Sequence, residues 1–516
     1  MGYSRAMPVE SPSAPEERGA SASRPGRWFA WVLLVALGLV AVLFAVMVIR
    51  ALGLRTRQPT ATPVKLLSLE DGPVHSRLQA ALRLPTVSNQ DPALEDRAPF
   101  AELRAHLARA FPRVHRAMPP ERVGEDSLLF TWRGREPDLP HLLLLAHLDV
   151  VPADEATLAA WTHPPFSGKI SGGFAWGRGA LDDKSRAIAT LEALEHLLGN
   201  GFVPRRTITL ALGHDEEVGG HRGARKMAAL LERRGVRSFL TLDEGLAITS
   251  GMVPGVRQDV ALVGLAEKGY VTLELLAEAP GGHSSMPPPV TAVGRLSRAV
   301  HRLEERPMPA RLDGPMLGTL EAVAPEMPFA HRLVFANLWL FGPMVLRKLE
   351  AGPATNASVR TTFAPTMLSA SPKENVLAQR ARALVNVRIH PRDSVRGVLE
   401  HAGRVIGEPG VRVSALAGSA SEPVPSSSTR GPAWRILART VRQVFPGALV
   451  APGLMVAQTD SRHYRNLGGD IFRFAPIRIT DRDRERFHGV DERVGLRNYV
   501  EMISFFHQLI KNAAGD

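Results

Sequence analysis

HLLLLAHLDVV, residues 141–151, is a short apolar run that ends in the polar pair His147 and Asp149. It reads as a strand whose carboxyl end carries an imidazole and a carboxylate. The pattern repeats outward from it. Residues 182–198 form an expected helix, with Ala187, Leu191, Leu194 and Leu198 on one face and Gly199-Asn200-Gly201 as its stop. TITLAL, residues 207–212, is a second strand and runs into GHDEEVGG. A helix over 223–234, closed by Gly235, leads to FLTL at 239–242 and then to Asp243-Glu244-Gly245. Apolar strands alternating with amphipathic helices predict an α/β domain. In open α/β sheets ligands bind beyond the carboxyl ends of the strands. His147, Asp149, Glu216, Glu217 and Asp243 are therefore expected on one rim.

The chain has 516 residues, no cysteine, and 63 Lys+Arg against 51 Asp+Glu. Without cysteine there is no disulfide, thiolate zinc site, iron–sulfur cluster or Cys nucleophile. The hydrophobic share of 45% and charged share of 22% are ordinary globular values and exclude a multi-span membrane protein. The basic residues are scattered arginines without interleaved aromatics, so no nucleic-acid partner is expected. Residues 1–27 are rich in Ser, Pro, Ala, Gly and Arg and read as a disordered tail. Residues 28–49 are unbroken apolar sequence, with Trp28 and Trp31 at one end and Arg27 and Arg50 as brackets. A bilayer needs about 20 helical residues, and the apolar region of a cleaved signal peptide is about 7–15 residues. A single-pass N-terminal anchor is expected, followed by a linker over 50–66.

AHLDVVP, GRGALDDKS, GHDEEVGG, LDEG and FHGVDE together supply His147, Asp182, Glu217, Asp243 and His488. Two imidazoles and three carboxylates suit zinc, cobalt or manganese. Were Asp182 to bridge, each of two metals would receive one His, one terminal carboxylate and one shared oxygen. Two metals about 3.5–4 Å apart would acidify a water between them. Of the adjacent pair Glu216 and Glu217, one can bind metal while the other acts as general base. Singly, each motif has a plainer meaning: DDK is a helix N-terminus, EE an acidic turn, His488 a surface residue. Their joint occurrence at strand ends carries the reading. His214 and His221 flank the set, and His75, His106 and His196 are expected at the surface. HExxH and GxSxG are absent, which argues against a single-zinc protease and a serine hydrolase.

With these motifs the chain resembles the dinuclear zinc amidohydrolases that include carboxypeptidase S, aminoacylase, carboxypeptidase G and succinyl-diaminopimelate desuccinylase, and within them the carboxypeptidase S and N-fatty-acyl-amino-acid synthase/hydrolase branch. The resemblance spans roughly residues 65–513. It implies an α/β zinc-exopeptidase-like catalytic domain in two parts, 67–262 and 418–516, with an inserted α/β sandwich lid or dimerisation domain over 263–417. It implies two Zn2+ ions. His147 and Asp243 would be terminal ligands of opposite metals, Asp182 the bridge, and Glu217 and His488 the remaining ligands. Glu216 would be the general base, and Asp149 the carboxylate that orients His147. GLAEKGY, 264–270, resembles the start of the lid. In APGGHSSMP it places His283, which in relatives reaches a neighbouring active site, often across a homodimer, and polarises the scissile carbonyl. ENVLAQRARALVNVRIHP implies Asn375 and Arg388 as substrate contacts. GLMVAQTDSRHYRNLGGDIFRFAPI implies Thr459, Asp460 and Arg462 on the substrate-carboxylate side. Relatives usually have Gly where Ser185 stands. The stretch 306–370 is long for the lid. Its apolar part, residues 333–349, is broken by Gly342-Pro343 and is expected to be a buried lid element, with holding an acyl chain or touching the membrane as the alternative.

The expected function is a membrane-anchored metal hydrolase that cleaves the amide bond of an N-acyl amino acid or short peptide bearing a free carboxylate. The catalytic domain is expected outside the cytoplasm, as in exported and vacuolar relatives. The rivals are a carboxypeptidase or dipeptidase proper and a catalytically silent, tethered binding protein.

Overall fold

In the computed structural model, residues 1–2, 7–8 and 25–515 are described. Of the expected tail, residues 3–6 and 9–24 lie outside them, and residues 25–27 already belong to the first helix, Pro25–Leu52. That helix is long and apolar enough to cross a membrane over Trp28–Leu52.

The chain's centre is an eight-stranded mixed sheet. Its order is Glu121–Val123, Ser127–Trp132, Ile208–Gly213, His141–His147, Ser238–Thr249, Asp470–Ile479, Val260–Glu267 and Leu449–Met455. The four middle strands from Ile208–Gly213 to Asp470–Ile479 are mutually parallel. The leucine run explains the central position of His141–His147. Leu142 and Leu144 enter the core on one face, Leu143 and Leu145 the smaller core on the other. The first face is covered by helices Lys184–Gly199 and Leu496–Ala514, the second by Ala224–Arg233.

Two element boundaries differ from the sequence reading at the site itself. The helix expected from residue 182 starts at Lys184, because backbone N–H groups of Leu181 and Asp182 are taken by Glu492 instead. The strand expected over 239–242 continues through the acidic pair to Thr249.

A second sheet follows the first with one residue between them. Its antiparallel order is Thr362–Ser369, Arg380–Ile389, Gly269–Glu278 and Val411–Ala415. Ala381, Ala383, Val385, Val387 and Ile389 alternate onto the face covered by helices Ala292–Glu305 and Val395–Ile406. Arg388 consequently lies on the other face. Lys268 sits between the two sheets, buried, and its Nζ donates to the carbonyls of Ala357 and Arg360, both at 2.9 Å, and to Thr362 Oγ1 at 3.3 Å.

The expectation of a buried element over 333–349 is corrected. The stretch forms two helices, Phe329–Ala336 and Leu338–Glu350, which meet at 106°. Only Asn337 and Val345 within it are buried, and Trp339, Leu340 and Met344 are exposed. The break lies at Asn337, ahead of Gly342-Pro343. Apolar composition alone does not distinguish a core helix from one that lies against another apolar phase.

Candidate metal centre and substrate cavity

Two strand ends, the middle of a third strand and two loops build the centre. His147 closes its strand and is almost wholly buried. Its Nδ1–H donates to the backbone carbonyl of Asp149 at 3.0 Å, with the Asp149 carboxylate 3.4 Å away. That fixes the tautomer and leaves Nε2 facing the centre, 2.9 Å from Asp182 Oδ1. The other oxygen, Asp182 Oδ2, lies 3.2 Å from His488 Nε2. Asp182 thus stands between two imidazoles, one at each carboxylate oxygen. His488 Nε2 is also 3.2 Å from Glu217 Oε2. The Asp182–Asp183 peptide is cis.

Glu216 and Glu217 sit in a single 3-10 turn that ends at Gly219 and Gly220, with φ of 105° and 68°. The left-handed conformation explains the paired glycines. Asp149 anchors the turn: its Oδ1 and Oδ2 accept the N–H groups of Glu216 and Glu217, each at 3.1 Å. His488 has φ of 59°, a left-handed backbone that a side chain makes costly, and Arg178 Nη2 holds its carbonyl at 3.0 Å. Arg178 in turn pairs with Glu492 at 2.6 Å, both buried.

The donor atoms converge. Ligand atoms of His147, Asp182 and Glu217 lie within 4.8 Å of one another, as do those of His147, Glu216 and Glu244. Glu244 escaped the sequence reading, although it stands beside Asp243 in LDEG. Neighbours on a strand point to opposite sides, so only one of an acidic pair can face the centre. The Asp243 carboxylate faces the other way. It accepts from Arg186 Nη2 at 3.3 Å and from the backbone N–H of Ser461 and Glu244, at 2.7 and 2.8 Å. Glu492 was also missed. It lies in the quoted FHGVDE, and its Oε1 accepts the N–H groups of Gly179, Leu181 and Asp182.

The carboxylates fit a cationic occupant. Burial pushes Glu216 and Glu244 well above the ordinary carboxylate range, and neighbouring acidic charges add to it. Burial likewise raises Glu217, whose Oε1 is buried with no hydrogen-bond partner. Hydrogen bonds that it donates to Asp182 and Glu217 raise His488 to about 10. Acidic oxygens gathered around two imidazoles, with no Lys or Arg among them, are the donor set for divalent metal.

A cavity of about 990 Å³ opens over the centre, lined by Asp182, Glu216, Glu217, Glu244 and His488 on one side and Tyr270, Arg388 and Arg462 on another. The Arg388 guanidinium lies over the Tyr270 ring at 5.0 Å. Arg462 is turned to the backbone, donating to the carbonyls of Thr459 at 3.1 Å and Gly219 at 2.7 Å. Thr459 and Asp460 do not line the cavity. Thr459 is buried on Glu267 at 2.9 Å, and Asp460 is buried behind the Glu216–Val218 turn with Oδ1 unpartnered. His283 pairs with Val376 in a short antiparallel ladder, Asn375 directly precedes that partner strand, and both residues line a separate cavity of about 600 Å³. His283 is exposed. His214 is fully buried between Ser127 and Glu125.

Comparison with known proteins identifies the family. The profile of "Peptidase family M20/M25/M40" matches residues 143–512. An N-fatty-acyl-amino acid synthase/hydrolase of Danio rerio is 42% identical over 438 residues, covering 84% of each chain. Carboxypeptidase S of Saccharomyces cerevisiae is 34% identical over 487 residues, covering 84% of this chain and 83% of that one. Among solved structures, the metallo-carboxypeptidase Sso-CP2 of Sulfolobus solfataricus shares the fold with a TM-score of 0.60 at 17% identity, covering 86% of this chain and 99% of that one. The chain belongs to the M20/M25/M40 peptidase family and is a metal-dependent hydrolase.

Proposed function

We propose that this protein hydrolyses the amide bond of N-acyl amino acids, or of short peptides, that carry a free carboxylate. The observation that carries the reading is the shared cavity, which Asp182, Glu216, Glu217, Glu244 and His488 line together with Arg388. His147, Asp182, Glu217 and His488 would hold two zinc ions, with Asp182 the carboxylate placed to be shared between them. Glu244 would join His147 as the third carboxylate ligand, in place of Asp243. Bound metals supply polarisation of the scissile carbonyl and a water of lowered pKa.

The chain's own groups do the rest. Glu216, raised by burial and neighbouring charge, takes the proton of the attacking water and passes it to the departing amine nitrogen. Arg388 receives the substrate carboxylate as a planar two-pronged donor. Asn375 and His283 lie apart from the cavity of their own chain. They serve the active site of a second copy in a homodimer, where His283 donates to the carbonyl oxygen. Thr459 and Asp460 position Arg462 and the Glu216–Val218 turn from behind. The N-terminal helix anchors the protein in a membrane as a single span, with the catalytic body on the non-cytoplasmic side.

The test is release of free amino acid by the full chain from a panel of short-chain and fatty N-acyl amino acids and dipeptides. It is run with chelator and with added zinc, cobalt or manganese. Chelator-sensitive release from acyl amino acids is expected. Release from dipeptides alone would replace the acyl-amino-acid reading with a dipeptidase.

A further inference from the structure

We propose that the bent helix pair Phe329–Ala336 and Leu338–Glu350 is a membrane-surface foot that lies in the interface of the bilayer crossed by the N-terminal helix. The proposal rests on reading that helix as an anchor.

Length locates the foot. From residue 28 to residue 46 the N-terminal helix is exposed throughout, and at Met47 and Ala51 it becomes buried. Those exposed residues span about 28 Å at 1.5 Å per residue, close to the roughly 30 Å of a hydrocarbon core. The membrane boundary therefore falls where the helix meets the bent pair. The junction is tied by polar groups. Asn337, buried at the bend, donates from Nδ2 to the Met47 carbonyl at 3.1 Å. Arg50 Nε donates to Ala336 O at 3.1 Å, and Arg332 Nη2 to Ala51 O at 2.9 Å. The bend is thus attached to the last turns of the span.

The face left free has interfacial chemistry. Trp339, Leu340, Pro343, Met344, Arg347 and Lys348 are all exposed. Their spacing of three and four residues puts them on one side of Leu338–Glu350. Large apolar groups with a tryptophan at one end and two cations at the other match a helix lying in the headgroup boundary, with its cations toward anionic lipid. A water-facing helix of this body would instead leave Trp339 and Met344 more than half exposed, at 54% each.

The absence of cysteine makes the test direct. Full-length protein is reconstituted in vesicles of phosphatidylcholine and phosphatidylglycerol. Single variants Trp339→Cys, Met344→Cys, Leu39→Cys and Arg396→Cys each carry a polarity-sensitive fluorophore, and brominated lipid is the quencher. Only variants that keep the parent thermal midpoint are read. The labels at 339, 344 and 39 are expected to lose about half or more of their emission, and the label at 396 little. Quenching at 39 but not at 339 and 344 would leave the anchor standing and overturn the foot. No quenching at 39 would remove the anchor reading and overturn the foot with it. Energy transfer between labelled copies without lipid quenching would assign the face to a second copy, and overturn the proposal.

Discussion

Asp149 holds Glu216 by its backbone: Asp149 Oδ1 accepts the Glu216 N–H at 3.1 Å, while Oδ2 accepts that of Glu217 and the hydroxyl of Ser88 at 2.7 Å. The carboxylate expected to orient His147 therefore also sets the turn that carries the proposed base. Glu216→Gln keeps this turn and the donor geometry while removing the proton acceptor. We expect bound metal to be retained and turnover to fall by about 10²–10⁴-fold. Metal content by elemental analysis, paired with turnover, checks it. A variant near the parent rate would remove Glu216 from the proton path.

How much of this was legible beforehand follows from strand physics. Buried strands must be apolar, so a polar residue at the end of an apolar run marks the rim. That is what makes His147, Glu216, Glu217 and the position of LDEG legible. Which member of LDEG faces inward was not legible. It depends on the register of Ser238–Thr249 beside Asp470–Ile479 and on Arg186, which claims Asp243 from a neighbouring helix. Residues 333–349 differ from their expectation because apolar composition reads the same in a buried helix and in one that leaves Trp339, Leu340 and Met344 exposed.

The LDEG ambiguity gives a second prediction. Glu244→Gln should lower bound metal by about one equivalent per chain, since its oxygen groups with His147 and Glu216. Asp243→Asn should chiefly lower stability, because buried Arg186 loses part of its counter-charge. Metal titration and thermal unfolding of both variants separate the two. Metal loss in Asp243→Asn with full occupancy in Glu244→Gln would restore Asp243 as ligand.

Arg388 has a kinetic signature. Loss of a charge-assisted hydrogen bond costs about 1.5–3 kcal/mol, so Arg388→Ala should raise KM by about 10–100-fold. Lys, a point charge without the planar fork, should recover only part of it. An amidated substrate, lacking the carboxylate, should not distinguish the variants. Equal KM for the free acid in parent and Arg388→Ala would exclude the contact.

Glu492 supports the Asp182 loop from below. Glu492→Ala leaves Arg178 buried without its partner and strands three backbone donors. Breaking such a pair costs about 3–5 kcal/mol. We expect a lower denaturation midpoint together with weaker metal retention. A loss confined to stability, with metal affinity unchanged, would separate the loop from the centre.

Stability should fall with acid. Burial, with nearby His196 and Lys511, lowers His507 from 6.5 to about 4. Burial, with nearby Arg392, lowers His390 from 6.5 to about 4. The unfolded chain takes these protons near pH 6.5, the folded chain only near 4. Unfolding therefore becomes easier as pH drops through that window, and the contribution is complete above it. Denaturation at pH 7 and pH 4.5 measures the difference, and His507→Gln should narrow it.

Only Lys268 separates Val260–Glu267 in the large sheet from Gly269–Glu278 in the small one. Its three acceptors lie on the chain that leads into the strand beside Arg388. Under the role proposed for Arg388, this single-residue crossing would work as the joint of a caliper: it fixes how far the arginine stands from the acidic centre, and that gap would gauge the amino-acid half of a substrate.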